Sequence, residues 1–227
     1  MNQKIGITER GDAALNHEWR GWVGAGLPAV LITKAPSKLI GVIDAAMNII
    51  VHCTITGMGG TCVEKNVGLP NIEIDAYRAI VKMMGTERTV LRIDPIHPHG
   101  IWLARAKGVA AHLVKGGRMR ISFIDLYPHS RQRLADAGYV LPSQSFHAPL
   151  QLRKAVWNEL GRPEICGEPG LPSTGCISKE DCLILGVMPQ EIKHTQRLAC
   201  ACLANKHELL SNREQCPHAC AYCYWQN

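Results

Sequence analysis

The last twelve residues of the chain, CPHACAYCYWQN, have the side chains best suited to chemistry. Cys216, Cys220 and Cys223 follow a C-x3-C-x2-C spacing, and Tyr222 directly precedes the third cysteine. Three thiolates so close in sequence can bind three irons of a cubane iron–sulfur cluster and leave the fourth iron open to an external ligand. A zinc site is the alternative, because structural zinc takes four protein ligands and His218 lies inside the motif.

Eight of the ten cysteines fall in the last third of the chain. In a reducing compartment, thiols clustered in this way indicate a metal site rather than a disulfide framework. Four of them form a candidate second site, which could be an auxiliary cluster or a tetrahedral zinc ion. The alternative is that they are small buried hydrophobic residues, as is expected of Cys182. The four candidates are Cys166, Cys176, Cys200 and Cys202.

Short apolar runs alternate with longer amphipathic stretches, which predicts a parallel α/β fold. The predicted strands are 4–8, 29–34, 48–56, 89–96, 118–126 and 164–168. The predicted helices are 74–84, 102–115, 150–160 and 179–185, and glycines at 85, 116, 161 and 186 lie where their C-terminal caps would be. Residues 130–149 are predicted to form a loop-rich lid.

Polar residues at the ends of the predicted strands favour a barrel over a doubly wound sheet. Side chains such as those of Thr8, His52, Arg92 and Asp125 would then converge on one mouth. We therefore predict a six-unit β/α partial barrel of the TIM type over residues 1–186. Residues 187–227 are predicted to be a cysteine-rich extension of the same structural domain, and this extension carries the cluster loop.

The terminal CPHACAYCYW resembles the cluster motif of the radical S-adenosylmethionine (radical SAM) superfamily, in which an aromatic residue precedes the third cysteine. The whole chain also resembles an uncharacterised bacterial and phage group that has this motif at its C-terminus. The stretches that carry this second resemblance are GITERGD, IIVHCTITGMGGT, VLRIDPI, ISFIDLYPH, CGEPG, GCIS and CPHACAYCYW.

The resemblance implies a circularly permuted partial barrel, because the superfamily motif normally follows the first strand. It also implies a [4Fe-4S] cluster on Cys216, Cys220 and Cys223 whose open iron binds SAM. Reduction, with an electron from a donor such as flavodoxin or ferredoxin, would cleave SAM to a 5′-deoxyadenosyl radical that abstracts a substrate hydrogen. Ligation of the cluster would also hold the chain end in place, where chains otherwise fray.

SAM and its substrate require further polar contacts. Glu9 and Glu168 are predicted to bind the SAM ammonium, and Tyr222 is predicted to pack near the adenine. Arg92 and Asp94, two residues apart on one strand, would both point inward and line the cavity, unless they only fill the barrel as an ion pair. The glycines of TGMGGT (56–61) would let the backbone approach a ligand closely.

Three further residues are candidates for the reaction itself. Cys53 could donate a hydrogen atom at the mouth, although a packed core thiol is the alternative. Tyr127 is a candidate substrate contact or radical relay, and Asp125 is a candidate catalytic carboxylate at the end of the same strand.

The chain has a formal net charge of +6, with 25 Lys and Arg against 19 Asp and Glu. This excess fits a phosphate-bearing partner or simply a solvated basic surface that includes pairs such as Arg118 and Arg120. The resemblance to phage proteins implies that DNA is the substrate. The enzyme would act on an amino-acid adduct of thymine, either by an aminomutase-type isomerisation or by a lyase-type cleavage. An enzyme of this kind must flip the base out of the duplex, so cations should surround the mouth, at Arg10, Lys34, Arg131 and Arg133.

Other observations limit the alternatives. The polar N-terminus does not resemble a signal peptide, and no apolar run is long enough to cross a membrane, so a cytoplasmic protein without a membrane partner is expected. A radical SAM enzyme with a small-molecule substrate remains open. A non-catalytic zinc or nucleic-acid-binding module also remains open, and it would be colourless and would not bind SAM.

Overall fold

The computed structural model describes residues 3–141, 145–193, 199–211 and 216–224. The strands in these ranges are β1 (Ile5–Ile7), β2 (Ala29–Thr33), β3 (Ile49–Thr54), β4 (Thr89–Ile96), β5 (Arg118–Phe123), β6 (Glu164–Ile165) and β7 (Lys206–Glu208). The helices are α1 (Trp19–Gly24), α2 (Pro36–Leu39), α3 (Pro70–Met84), α4 (Gly100–Ala110), α5 (Pro128–Asp136), α6 (Leu150–Glu159) and α7 (Lys179–Ile184).

The strands form one parallel sheet in the order β6-β5-β4-β3-β2-β1-β7, and this sheet curls into a half-barrel. The predicted parallel α/β architecture is confirmed, but the number of strands was wrong. The strand that was not predicted is β7. It lies at the edge of the sheet and pairs with β1, with Gly6 opposite His207. Its sequence, KHE, has no apolar pattern, because a short edge strand gains its order from backbone hydrogen bonds rather than from burial. The segment after residue 186 therefore contributes to the same sheet.

All four predicted helices are present. The longest, α3, begins at Pro70, whose missing N–H costs nothing in the first helical turn. It ends at Met84 and is capped by Gly85, whose φ is +87°. The predicted lid contains one helix, α5, and its residues 142–144 lie outside the described residues. None of the helices in the described ranges is both long and apolar enough to cross a lipid bilayer.

The outer face of the sheet packs against the helices and forms the main core. Leu31, Val51 and Leu91 alternate along their strands with residues of the inner face and contact buried helical residues such as Tyr77 and Ile80. Burial on both faces explains why these strands are apolar throughout.

The inner face of the half-barrel is filled by a second core and by a buried ionic network. The network joins Arg118 and Arg120 of β5 to Glu164 of β6 and to Asp181 of α7, and Arg120 Nη2 lies 2.9 Å from Asp181 Oδ2. Arg120 and Asp181 are fully buried. The interpretation of Arg118 and Arg120 as solvated surface charges was therefore wrong, since both guanidinium groups neutralise carboxylates inside the barrel.

Candidate functional site

An open cavity lies where the strands end, with about 1120 Å³ of empty space including its solvent-filled mouth. As predicted for a barrel, polar side chains from the ends of several strands converge on it. The predicted site residues that line the cavity are Glu9, Arg92, Asp94, Asp125, Cys166, Cys176, Cys216, Cys220, Tyr222 and Cys223.

The terminal cysteine motif forms a loop over this cavity, with its three thiols in the lining. Ala219 turns the loop through a left-handed backbone conformation with φ of +46°. Burial raises the pKa of the Cys220 thiol to about 12. A free thiolate is therefore unfavourable at this position, and a metal cation would supply the charge needed to stabilise it.

His218 ties the loop to Asp12, which follows β1 and is hydrogen-bonded to the end of β2. Its Nε2 lies 2.8 Å from Asp12 Oδ2, and its Nδ1 lies 3.4 Å from Asn66 O. Asp12 also accepts hydrogen bonds from Thr33 Oγ1 at 2.6 Å and from Lys34 N at 2.6 Å. Burial tends to raise the pKa of Asp12, but the hydrogen bond and charge of His218 outweigh it and hold the pKa below its usual value. Since both ring nitrogens of His218 face protein oxygen atoms, the histidine is occupied as an anchor rather than free to be a fourth zinc ligand.

The segment between β3 and α3 forms the other side of the loop's binding surface. Ala221 N donates to Val63 O at 2.9 Å, and Asn66 Nδ2 donates to Pro217 O at 2.9 Å. A Cβ on Gly59 would lie 2.0 Å from Gly68 O. Glycine is therefore required at position 59 because the segment's own backbone passes so close to it, and not because a ligand approaches it.

Tyr222 is anchored by its hydroxyl group and by its ring. The hydroxyl donates to buried Glu64, which also pairs with Lys34 Nζ at 3.0 Å and accepts from Thr56 Oγ1 at 2.7 Å. The ring packs against Trp102 with centroids 5.5 Å apart. Burial tends to raise the pKa of Glu64, but the Lys34 charge and the hydrogen bonds outweigh it and lower the pKa. Lys34 therefore neutralises Glu64 and is not the free phosphate-binding cation that the sequence suggested.

Arg133 of α5 holds the last part of the loop. Its Nε donates to Ala221 O at 3.1 Å, and its Nη2 donates to Cys223 O. Arg133 was predicted to surround the mouth as a cation for DNA, but in the structure its guanidinium group binds the backbone of the cysteine loop.

We expect Arg133→Met to loosen this loop without unfolding the protein. Two charge-assisted hydrogen bonds would be lost, about 2–3 kcal/mol in total. If the loop holds the iron–sulfur cluster expected from the sequence, its iron should be lost to a chelator roughly 30- to 150-fold faster. The measurement is the rate of iron release from anaerobically reconstituted protein. Lys154→Met, which removes an exposed cation from α6, is the matched control and should release iron at the wild-type rate. Equal release rates for the two variants would contradict the assigned role of Arg133.

Arg92 and Asp94 both line the cavity and form an ion pair, as their spacing predicted. Asp94 also accepts from Ser122 Oγ of the neighbouring strand β5. Burial tends to lower the pKa of Arg92, but the Asp94 carboxylate outweighs it and raises the pKa above its usual value. The pair therefore presents a fixed cation and a fixed carboxylate to the cavity.

Two further carboxylates of the lining, those of Glu9 and Asp125, also have partners in the protein. The partner of Glu9 is a lysine, and that of Asp125 is a histidine. Glu9 pairs with Lys206 of β7, and Glu9 Oε1 also lies 3.8 Å from Cys176 Sγ. Asp125 lies 2.7 Å from His147 Nδ1. Glu9 is thus placed in the lining as predicted, but Lys206 already neutralises its charge.

Three of the predicted catalytic and cofactor-binding residues lie outside the cavity lining. Cys53 is fully buried on the outer face of β3 among core residues, so its predicted role as a hydrogen-atom donor at the mouth was wrong. Glu168 accepts from Phe123 N at 2.7 Å and Arg153 Nη1 at 2.9 Å. Its predicted contact with SAM was also wrong, because this carboxylate joins β5 to α6. Burial raises the pKa of Glu168 to about 7 despite those two bonds.

Tyr127 is the third of these residues, and it lies one aromatic contact away from the cavity. Its ring stacks on Tyr224, which does line the cavity, with centroids 5.9 Å apart. His129 stacks on Tyr127 at 5.7 Å, and Phe146 meets it edge-on at 4.9 Å. Tyr127 therefore belongs to an aromatic cluster beside the cavity.

Two polar atoms of the cavity-lining residues are buried without a hydrogen-bond partner among the described residues. They are Arg10 Nε and Thr54 Oγ1. Unsatisfied buried polar atoms are costly, so a polar ligand in the cavity would relieve a real penalty. Arg10 is the residue suited to an anionic group such as a carboxylate or phosphate.

The three thiols of the loop are chemically suited to an iron–sulfur cluster, which takes thiolate ligands. Within the described part of the chain, no group of three or more His, Cys, Asp or Glu side chains converges closely enough to hold one metal ion. A cubane cluster has a different requirement, because each thiolate binds a different iron atom. Cys216, Cys220 and Cys223 all line the same cavity.

Sequence reasoning missed the residues that anchor the loop. Asp12 and Glu64 were not singled out, and Lys34 and Arg133 were assigned to DNA. The only property that these four residues share in the sequence is their charge: Asp12, Lys34 and Glu64 lie at or after the ends of predicted strands, and Arg133 lies in the predicted lid. Pairing with a segment more than 80 residues away cannot be inferred from such a pattern.

A family model described as a domain of unknown function (DUF1848) matches residues 28–225. The chain belongs to this family. The match includes the cysteine loop and most strands of the half-barrel. No curated protein and no solved structure shows significant similarity to the chain.

Proposed function

We propose that this DUF1848 protein is a radical SAM enzyme with a [4Fe-4S] cluster on Cys216, Cys220 and Cys223. The placement of these three cysteines supports the proposal most strongly, because they line one cavity together with Arg92, Asp94 and other polar side chains. When bound, the cluster and SAM would supply a 5′-deoxyadenosyl radical for hydrogen abstraction. The protein would receive the electron from a donor such as flavodoxin or ferredoxin.

The chain's own residues would bind and orient SAM and keep the site dry. Arg10 is available for the carboxylate of the methionine moiety, and the Asp94 and Glu9 carboxylates border the same space. Tyr222 and Trp102 form an apolar wall behind the loop. Exclusion of water strengthens each of these electrostatic contacts and protects a reactive intermediate.

The position of β7 supports a circular permutation. This strand precedes the cysteine loop in the chain and pairs with β1 in the sheet. If the segment from β7 onward were joined in front of β1, the strands would follow one another in sheet order, and the loop would follow the first strand. That is the arrangement that the resemblance to the radical SAM superfamily implies.

The test of the reaction class is an anaerobic assay. The protein is reconstituted with iron and sulfide and then treated with SAM and dithionite, and 5′-deoxyadenosine is measured. We expect a brown protein that forms 5′-deoxyadenosine. A colourless protein that holds zinc and leaves SAM intact would overturn the proposal in favour of a structural metal module.

For the substrate, we propose a modified thymine base in DNA, rearranged at an amino-acid adduct. The aromatic cluster of Tyr127, His129, Phe146 and Tyr224 supports this choice, since a base taken out of the stack is bound by aromatic faces. A small-molecule substrate of the same reaction class is the alternative.

DNA binding by the reconstituted protein should depend strongly on salt. We expect affinity for duplex DNA to fall by about tenfold or more between 50 and 200 mM salt, because phosphate contacts release counterions. Arg78→Gln, which removes a half-exposed arginine of α3, should bind duplex DNA with wild-type affinity. Absence of binding at low salt would favour the small-molecule substrate.

A further inference from the structure

Four buried cysteines outside the terminal motif come together on the inner face of the sheet. They are Cys166 after β6, Cys176 before α7, and Cys200 and Cys202 before β7. Each has at most 4% of its surface exposed. Of these four, Cys166 and Cys176 line the cavity that the cysteine loop also lines. These two thiols are therefore the ones that a molecule in the cavity can reach.

The thiols of this group are in direct contact. Cys166 Sγ lies 3.4 Å from Cys176 Sγ, and Cys176 N donates to Cys202 Sγ at 3.2 Å. Sulfurs this close leave no space between them for a cluster, and within the described ranges no three such side chains converge on one metal ion. A disulfide bond holds its sulfurs about 2 Å apart, so a small side-chain rotation would join Cys166 to Cys176. The contact suits two thiols that react with each other.

Close backbone packing holds the Cys176 segment in place. Gly175, with φ of +73°, precedes Cys176, and a Cβ on it would lie 2.7 Å from Cys202 N and 2.8 Å from Ala201 O. Only glycine allows the two segments to approach so closely in this conformation. The segment before α7 is thereby fixed against the segment before β7, which keeps the Cys176 thiol at the cavity wall.

Both thiols of the cavity wall are held in the neutral form. The hydrogen bond with Cys176 and burial raise the pKa of the Cys166 thiol well above its usual value. The hydrogen bond from Cys166 tends to lower the pKa of Cys176, but the hydrogen bond with Cys202 and burial outweigh it and raise the pKa. A neutral thiol is a poor nucleophile. It keeps the S–H hydrogen, which a carbon radical removes readily because the S–H bond is weaker than most C–H bonds.

We propose that Cys166 and Cys176 form a redox-active pair that donates a hydrogen atom to a carbon-centred radical in the cavity. This role rests on the proposed function, which supplies the radical. The sequence analysis gave the same role to Cys53, which lies in the outer core instead. Cys166 and Cys176 have what Cys53 lacks, since both line the cavity and each has a second thiol beside it.

The donation uses both thiols of the pair. The S–H bond of Cys166 breaks, a C–H bond forms on the radical, and a thiyl radical remains on Cys166. This sulfur then bonds to that of Cys176, whose proton passes to Glu9 Oε1, 3.8 Å from Cys176 Sγ. The disulfide radical anion so formed gives one electron to an acceptor of the iron–sulfur class and becomes a disulfide. An external dithiol supplies the two electrons and two protons that restore the pair.

The first test follows a deuterium label from solvent. Wild-type protein is reconstituted anaerobically, freed of added thiols, moved into D2O and given SAM and dithionite with no other substrate. Thiol hydrogens exchange with solvent and carbon-bound hydrogens do not, so donation to the 5′-deoxyadenosyl radical would place deuterium in 5′-deoxyadenosine. We expect this label by mass spectrometry in the wild type and its loss in both Cys166→Ser and Cys166→Ala. Cys182→Ser, which changes a buried thiol of the same core outside the cavity lining, should keep the label.

The second test needs no cluster and no SAM. The full-length wild-type chain is purified without iron and treated with diamide, a small thiol oxidant, and its disulfides are mapped by peptide mass spectrometry. We expect a disulfide between Cys166 and Cys176 that dithiothreitol reduces. The absence of this disulfide, or one that joins Cys176 to Cys202 instead, would overturn the pair.

Failure of the donor role and failure of the proposed reaction give different results. Unlabelled 5′-deoxyadenosine from the wild type, or a label that persists in folded Cys166→Ser, would overturn the donor role alone. If the wild type formed no 5′-deoxyadenosine, the proposed reaction would be wrong and the donor role would fall with it, while the disulfide map would still report on the pair. Circular dichroism of each variant checks that the fold is kept.

Discussion

Replacing Cys220 with alanine is expected to reduce 5′-deoxyadenosine formation by at least about 10³-fold, which corresponds to roughly 4 kcal/mol in the barrier. Cys220 is the middle ligand of the loop and has only 5% of its surface exposed. Its loss would leave the proposed cluster two protein ligands, with no thiol nearby in sequence to replace the third. The measurement is 5′-deoxyadenosine per chain after anaerobic incubation with SAM and dithionite.

Cys62→Ala is the matched control for this experiment. Cys62 is exposed and lies in the segment that binds the loop, but it does not line the cavity. The Cys62 variant should form 5′-deoxyadenosine at the wild-type rate. If Cys220→Ala also retained full formation, the terminal cysteines would not hold the catalytic cluster.

Replacing Asp181 with alanine is expected to lower the free energy of unfolding by about 3–5 kcal/mol, a large fraction of the stability of an ordinary domain. The fully buried Asp181 carboxylate neutralises Arg118 at 2.7 Å and Arg120 at 2.9 Å. It also completes the N-terminal capping box of α7 with Ser178. Without it, the buried Arg120 would retain only Glu164 as a counter-charge. Urea unfolding under reducing conditions measures the effect.

Asp75→Ala is the control, because Asp75 also pairs with an arginine but is 75% exposed. An exposed pair contributes little, so this variant should lose less than about 0.5 kcal/mol. If Asp181→Ala lost no more than the control, the buried network would not be a main source of stability. If the alanine variant does not accumulate, Asp181→Asn can be measured instead. This variant keeps the shape of the side chain and should show an intermediate loss of unfolding free energy.

The strands and helices could be predicted because their signals are local. Short continuous apolar runs marked β1 to β6, and glycines such as Gly85 marked the ends of helices. The strand β7 could not be found in this way, because Lys206, His207 and Glu208 carry no apolar pattern and pair only through their backbone. The same limit applies to Cys53, since a strand buried on both faces does not reveal which face a given residue occupies.

The polar residues at the strand ends were harder to assign. The convergence of Arg92, Asp94 and Asp125 on one cavity was predictable, because parallel strands bring their carboxyl ends to one edge. Whether a charged residue faces a ligand or a protein partner was not. Glu168 and Lys34 both lie near the mouth, yet Arg153 and Glu64 neutralise them.

The sequence by itself determined the alternation of strands and helices, the three-cysteine motif and the four further candidate ligands, because residue type and spacing are local properties. Only the tertiary structure decided that the terminal loop lies over the cavity and that four distant cysteines come together. These arrangements depend on contacts such as those of His218 with Asp12 and of Gly175 with Cys202. Such contacts join segments far apart in the chain, and their energies arise only once the half-barrel has brought those segments together.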